Sequence, residues 1–352
     1  MKRVILRVLI PGLVLLTASA CGPGVIPQLT PAPPQSVTAL TFTAGETAPT
    51  LRPGWTSYTN ANAVKAVAFD QDGSLWTGGP GGAAQWRPDG TYTQYTVEHG
   101  LARNGVNSIA VAPDGALWFG TDGGVSRFDG ERWTTFTAAD GLVSDWVDPI
   151  VVAPDGALWF GSWGGLSRFD GKSWTTHTTS NLPKCCGRLS IGVAPDGALW
   201  LATVQGALRF DGKDWTTYTR PYHEETSRWP YSIAVTPDGA VWAGTDKGVW
   251  RFDGKDWTTY NLGDREANVI YSIAVAPDGA LWFGTLLGAS RFDGKDWTRY
   301  TTASTANGLA DGVTSIAVAP DGAVWFGTDS GVSRFDGKGW TTYTAADRRP
   351  GE

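Results

Sequence analysis

Ser108-Ile-Ala-Val-Ala-Pro-Asp-Gly-Ala-Leu-Trp-Phe-Gly-Thr121, followed by Gly124-Val-Ser-Arg-Phe-Asp-Gly130 and Trp133-Thr-Thr135, is one copy of a cassette that the chain uses seven times. The first Asp-Gly pair of each copy begins at residue 72, 114, 155, 196, 238, 278 and 321, a spacing of 40 to 43 residues. Within a copy, Ile109 and Val111 alternate with Ser108, Ala110 and Ala112, the two-residue period of a strand. One face of that strand holds only small side chains, which suits the crowded centre of a ring. Ala116 to Thr121, Val125 to Phe128 and Trp133 to Thr137 supply three further strands rich in aromatic and β-branched residues. Pro113-Asp114-Gly115 and Asp129-Gly130 are hairpin signals, because Gly after Asp supplies the positive φ that tight turns need. A period near forty with four strands per copy predicts an all-β chain, a seven-bladed β-propeller with four antiparallel strands per blade. In such a meander the two Asp-Gly turns of each blade emerge on one face. The strand 2–3 turns and the inter-blade connections emerge on the other, and there the copies differ most.

The repeats predict a propeller over 55–344. Trp55-Thr-Ser-Tyr-Thr59 copies the outer strand Trp340-Thr-Thr-Tyr-Thr344, so one outer strand is surplus, and it is expected to latch the ring by covering an exposed edge. Which copy pairs with the last blade is left open by the sequence. Residues 1–20 carry Lys2, Arg3 and Arg7, an apolar stretch from Val8 to Leu16 too short to span a bilayer, and Ala18-Ser19-Ala20 ahead of Cys21. This pattern predicts a signal peptide, and the junction resembles the lipobox of bacterial lipoproteins, which implies lipid attachment at Cys21. Ala18 stands where a bulky aliphatic residue is usual, so cleavage without lipidation is the alternative. Residues 21–54 are rich in Pro and Thr and lack apolar periodicity, and they read as a tether with an r.m.s. reach of about 30 Å. Residues 345–352 form a short tail.

The formal charge of −6, made more acidic by removal of the basic signal segment, argues against nucleic acid as a partner. The expected partners are the membrane, through the lipid, and a protein, glycan or small ligand on the variable face.

Pro-Asp-Gly-Ala-Leu-Trp-Phe-Gly-Thr followed by Gly-Val-Ser-Arg-Phe-Asp-Gly resembles the two-component regulator propeller repeat, over about 63 to 344. The resemblance implies an extracytoplasmic module that binds ligand or mediates dimerisation beside a histidine kinase. No membrane helix or kinase follows Thr344 in this sequence, so any sensing is expected to act in trans. Streptogramin lyases and lactonase-like propellers share the architecture and give the alternative, a propeller enzyme. The sequence offers little for it. The three histidines, His99, His177 and His223, are scattered, and no nucleophile, base and orienting group assemble from spacing, so no catalytic residue, metal ligand or cofactor is assigned.

Candidate residues come from places where the copies disagree. Trp146, Trp163 and Trp229 fall outside the two regular Trp slots, in inter-blade connections or a strand 2–3 turn. Lys184, Arg188, Tyr222 and His223 join them from the same side, and Tyr231 and Tyr271 begin innermost strands and are expected to point towards the channel mouth. His223-Glu224-Glu225 is a poor metal set, since consecutive side chains point apart. Cys185-Cys186 is a candidate vicinal disulfide in an exported chain, with an intermolecular bond as the alternative. Arg127, Arg168, Arg209, Arg251, Arg291 and Arg334 occupy one slot in six blades and are expected to make structural cross-blade pairs.

Overall fold

A computed structural model describes residues 63–87, 92–178, 189–220, 230–263, 266–310 and 312–344. The signal segment, Cys21, the tether, Trp55–Thr59 and the tail lie outside these residues. The described chain forms seven four-stranded antiparallel sheets, each built from four consecutive strands in sequence order. In the second blade these are Val106–Val111, Leu117–Thr121, Gly124–Phe128 and Trp133–Phe136, within a residue or two of the sequence expectation. The innermost strands, from Ala66–Phe69 in blade 1 to Val313–Val318 in blade 7, surround one axial cavity.

Close approach at the axis depends on the Gly that ends each Leu-Trp-Phe-Gly run. A Cβ on Gly284 would stand 2.7 Å from Val313 of the next blade, and one on Gly78 would stand 2.4 Å from Val106. Further out, the Trp of strand 2 reaches a Phe of the following blade: Trp76–Phe119 at 5.6 Å, Trp118–Phe160 at 5.6 Å, Trp242–Phe283 at 6.0 Å and Trp282–Phe326 at 5.3 Å between ring centroids. Where Leu201 and Ala243 occupy the Phe position, the contact of Trp with the strand 3 Phe, present in the other seams as well, remains: Phe210 with Trp159 and Phe252 with Trp200. Thr77 holds that position in blade 1, and there Trp325 of blade 7 meets Phe69 at 5.8 Å. The blade 7 to blade 1 seam is also tied by the Val64 N–H, which donates to the Thr328 carbonyl at 2.9 Å, and by the Thr314 hydroxyl, which donates to the Val64 carbonyl. The ring therefore closes by packing and by contacts of the chain just ahead of blade 1. The outer strand of blade 7 is the C-terminal copy, Trp340–Thr344, paired with Gly331–Phe335.

The arginine slot differs from expectation. The pairs lie within a blade: Arg127 reaches Asp114 at 2.9 Å and Asp129 at 3.6 Å, and Arg334 reaches Asp321 at 3.1 Å and Asp336 at 3.6 Å. Each such arginine bridges the strand 1–2 and strand 3–4 turns of its own sheet, because both turns emerge on one face and strand 3 lies beside both. In blade 5, Thr236 holds Asp238 and Arg251 reaches Asp253 at 3.8 Å. Half-exposed pairs of this kind contribute about 0–1 kcal/mol each, whereas burying a Trp or Phe contributes about 1.5–3 kcal/mol. The aromatic seams dominate.

In the strand 3–4 turns the Asp carboxylate accepts main-chain N–H groups, as Asp170 does from Ser173 at 2.8 Å and Lys172 at 2.9 Å. These bonds, Ser173 first, bring Asp170 down to about 2, and equivalent bonds lower Asp211, Asp253, Asp293 and Asp336. A carboxylate lowered in the folded state stabilises fully above its unfolded value near 4, and that contribution is lost as pH falls through the folded value. The melting temperature is expected to fall between about pH 4 and pH 2; a flat profile over that window in scanning calorimetry would show that the turn carboxylates carry no net stability. Trp282, 1% exposed, is expected to cost about 3–5 kcal/mol on replacement by Ala, read as a drop in the urea midpoint. A loss below about 1 kcal/mol would mean that the seam collapses around the hole.

Candidate functional site

The register of the sheets aligns one residue per blade at the start of the innermost strand: Lys65, Asn107, Asp148, Leu189, Tyr231, Tyr271 and Thr314. All line the same axial cavity of about 200 Å³. The next layer is nearly uniform: Ser108, Ser190, Ser232, Ser272 and Ser315, with Ala66 and Pro149 completing it. In a chain of closely similar copies, the first layer is the one set of axial positions where almost every blade differs. It is also divided. Blades 1 to 3 contribute a cation, an amide and a carboxylate, and blades 4 to 6 contribute Leu and two Tyr.

Tyr231 and Tyr271 bring their rings to 5.7 Å at an interplanar angle of 43°. Burial first, then the neighbouring Tyr231 and Asp329, push the Tyr271 hydroxyl above its ordinary range, so it is a neutral donor at physiological pH. Opposite, Lys65 Nζ lies 3.5 Å from Asn107 Oδ1, and Asp148 is 7% exposed. Ser108 Oγ accepts the Ile150 N–H at 3.0 Å and Ser272 Oγ accepts that of Ile316 at 3.1 Å, which ties neighbouring blades at the axis. Ser232 Oγ is buried beside the cavity and has no hydrogen-bond partner among the described residues. An aromatic pair facing polar groups across a small cavity can hold a ligand with one apolar face and a hydrogen-bonding rim.

Tyr231 and Tyr271 thus stand where the sequence places them. Trp146 and Trp163 also meet, edge to face at 6.0 Å and 78°, ahead of the inner strand of blade 3 and in its strand 2–3 turn. Trp163 is 60% exposed. Neither lines the axial cavity, so the candidates form two separate pairs. Asp145, in the same connection, accepts the Ala138 N–H at 2.7 Å and serves the loop. Lys184, Cys185, Cys186, Arg188, Tyr222, His223 and Trp229 lie outside the described residues. Of the histidines, His99 Nδ1 accepts the Thr96 N–H at 3.1 Å in a 3-10 turn, and His177 stacks on Trp159 at 5.4 Å in a seam. Lys65, Asp148 and Leu189 were missed by sequence reasoning. The signal was available: the residue preceding the recurrent Ser of the inner strand changes from copy to copy.

Comparison with solved structures gives the same architecture. The extracellular domains of two proteins designated hybrid two component systems from B. thetaiotaomicron match with TM-scores of 0.67 and 0.64 at 21% identity, over 79% and 78% of this chain. This chain spans only about two fifths of those structures, 39% and 38%. Virginiamycin B lyase from Staphylococcus aureus matches with a TM-score of 0.62 at 18% identity, over 78% of this chain and 94% of that one. At these identities the likeness establishes the fold alone. No curated protein matches the sequence. The model described as "Two component regulator propeller" matches residues 100–123 and 265–286. Over these two stretches the chain is similar to the two-component regulator propeller repeat, and the cassette they belong to recurs in all seven blades.

Proposed function

We propose that this chain is an exported, lipid-anchored binding module that takes a small ligand, or a projecting group of a glycan or protein, at the axial mouth on its variable face. The observation that carries the reading is the ring of seven axial positions, almost all different, set on otherwise repetitive blades. Strand positions that differ from blade to blade where they converge on a cavity support specialisation there. Cys21 after its signal segment and the Pro-rich stretch behind it support a tethered location outside the cell membrane, and the repeat family supports a sensory role exercised through a partner.

A lyase-like enzyme is the second reading, favoured by the near full-length match to virginiamycin B lyase. Against it, His99 and His177 are committed to a turn and a seam, away from the mouth. Incubation with a streptogramin B is expected to leave the substrate intact, and turnover would promote this reading over the first.

A panel of mono- and disaccharides and small aromatic compounds, titrated calorimetrically against the full chain, tests the site. Any ligand found is expected to bind about 10–100-fold more weakly to the Tyr231→Ala, Tyr271→Ala double variant, since hot-spot aromatics typically carry that much. Unchanged affinity there, with loss in Trp146→Ala, Trp163→Ala, would move the site to the blade 3 pair. For the anchor, Cys21→Ala is expected to shift the protein from the detergent-rich to the aqueous phase on Triton X-114 partition and to abolish labelling by palmitate. Partition unaffected by the substitution would remove the lipid.

A further inference from the structure

In three seams the strand 3 residue that faces the inter-blade connection is a serine whose hydroxyl accepts a main-chain N–H of that connection. Ser126 accepts from Ala102 at 2.8 Å, Ser167 from Val143 at 2.8 Å and Ser333 from Ala310 at 3.3 Å. The seam between blades 4 and 5 is built differently. Its register places Trp250 in the serine position, paired with Ala243 where Ser126 pairs with Phe119, so bulk has moved from strand 2 to strand 3. Arg220 follows the outer strand Trp215–Thr219 of blade 4 and is fixed by its own N–H, which donates to the Gln205 carbonyl at 2.8 Å. Its guanidinium carbon lies 4.0 Å from the centre of the Trp250 ring.

This cation is 8% exposed, and among the described residues its Nη1 has no hydrogen-bond partner. Burial lowers its pKa, and no charged neighbour among the described residues contributes. An arginine cannot shed its proton to escape such a setting, and a buried charge is strongly unfavourable unless an opposite charge meets it. Stacking on an indole offsets only part of that penalty. The stacked face also leaves the in-plane N–H edge as the direction from which compensation must come.

We propose that Arg220 and Trp250 form an anion site at the seam of blades 4 and 5 that takes a carboxylate group. The guanidinium edge matches a carboxylate in a flat, two-pronged contact, and one cation neutralises one negative charge. A phosphate dianion would leave surplus negative charge on a chain already at −6. The carboxylate belongs to a small organic acid or to an acidic sugar, two sources with the same recognition chemistry. Trp250 is also a tryptophan outside the regular slots, readable in the sequence as Gly-Val-Trp-Arg-Phe where blades 2 and 7 have Gly-Val-Ser-Arg-Phe.

The test follows the Nε–Hε resonance of Arg220 in the full chain labelled with ¹⁵N-arginine, assigned by its absence in Arg220→Lys, while acetate, glucuronate or inorganic phosphate is added at constant ionic strength. Acetate and glucuronate are expected to shift it saturably, with glucuronate the tighter if a sugar is the natural source and equal affinity if a simple acid is. The Trp250→Ser variant, which keeps the cation, is expected to bind both about tenfold or more weakly. A larger response to phosphate than to either carboxylate overturns the assignment. No shift in the wild type, with a shift appearing in the Glu224→Gln, Glu225→Gln variant, also overturns it, because the chain's own carboxylates then fill the role. No shift in either protein leaves a purely structural cation–π pair and overturns it as well.

Discussion

Sheets can meet around an axis only if the edge nearest that axis is thin, and this steric limit governs the rest of the molecule. Gly78 and Gly284 admit the inner strand of the following blade where any side chain would collide with it. Small hydroxyls in the next axial layer then tie blade to blade without adding bulk. As the wedge widens, the gap is filled by Trp from one blade and Phe from the next. The Asp-Gly turns and their arginines sit at the face of this stack, finishing each sheet and contributing little to what holds the sheets together.

The same limit explains where individuality can reside. A position packed in a seam must suit two blades at once, as the change from Phe119 beside Ser126 to Ala243 beside Trp250 shows: bulk lost on one strand reappears on its neighbour. The start of the innermost strand faces a cavity, so Lys65, Asp148, Leu189 or Tyr231 can each stand there without a matching change next door. Variation is cheap at the mouth and costly in the seam. Trp250 and Arg220 are an exception, a seam altered in both partners together.

The repeat spacing, the Asp-Gly turns and the small face of the inner strand were legible because each is a local demand stated seven times. Gly115 and Gly130 do take positive φ, at 85° and 99°. The direction of the arginine pairs was less legible: a strand 3 side chain can turn towards its neighbour blade or along its own sheet, and only the position of the strand 1–2 turn decides it. Trp146 and Trp163 were identifiable as irregular, but sequence gives no radius, and that separates them from the axial ring that Tyr231 and Tyr271 join. Asp148 and Leu189 escaped notice because each looks ordinary alone; their meaning lies in the comparison down one column of the repeat.

Because every sheet is made of four consecutive strands, main-chain pairing within the sheets joins residues no more than about fifteen positions apart. Contacts such as Val64 with Thr328 are the exception, spanning almost the full range of the described residues. The entropy of bringing distant parts together is therefore concentrated in one event, and it grows only slowly with length. The pairing within a blade is therefore local, while completion of the circle carries the long-range closure cost.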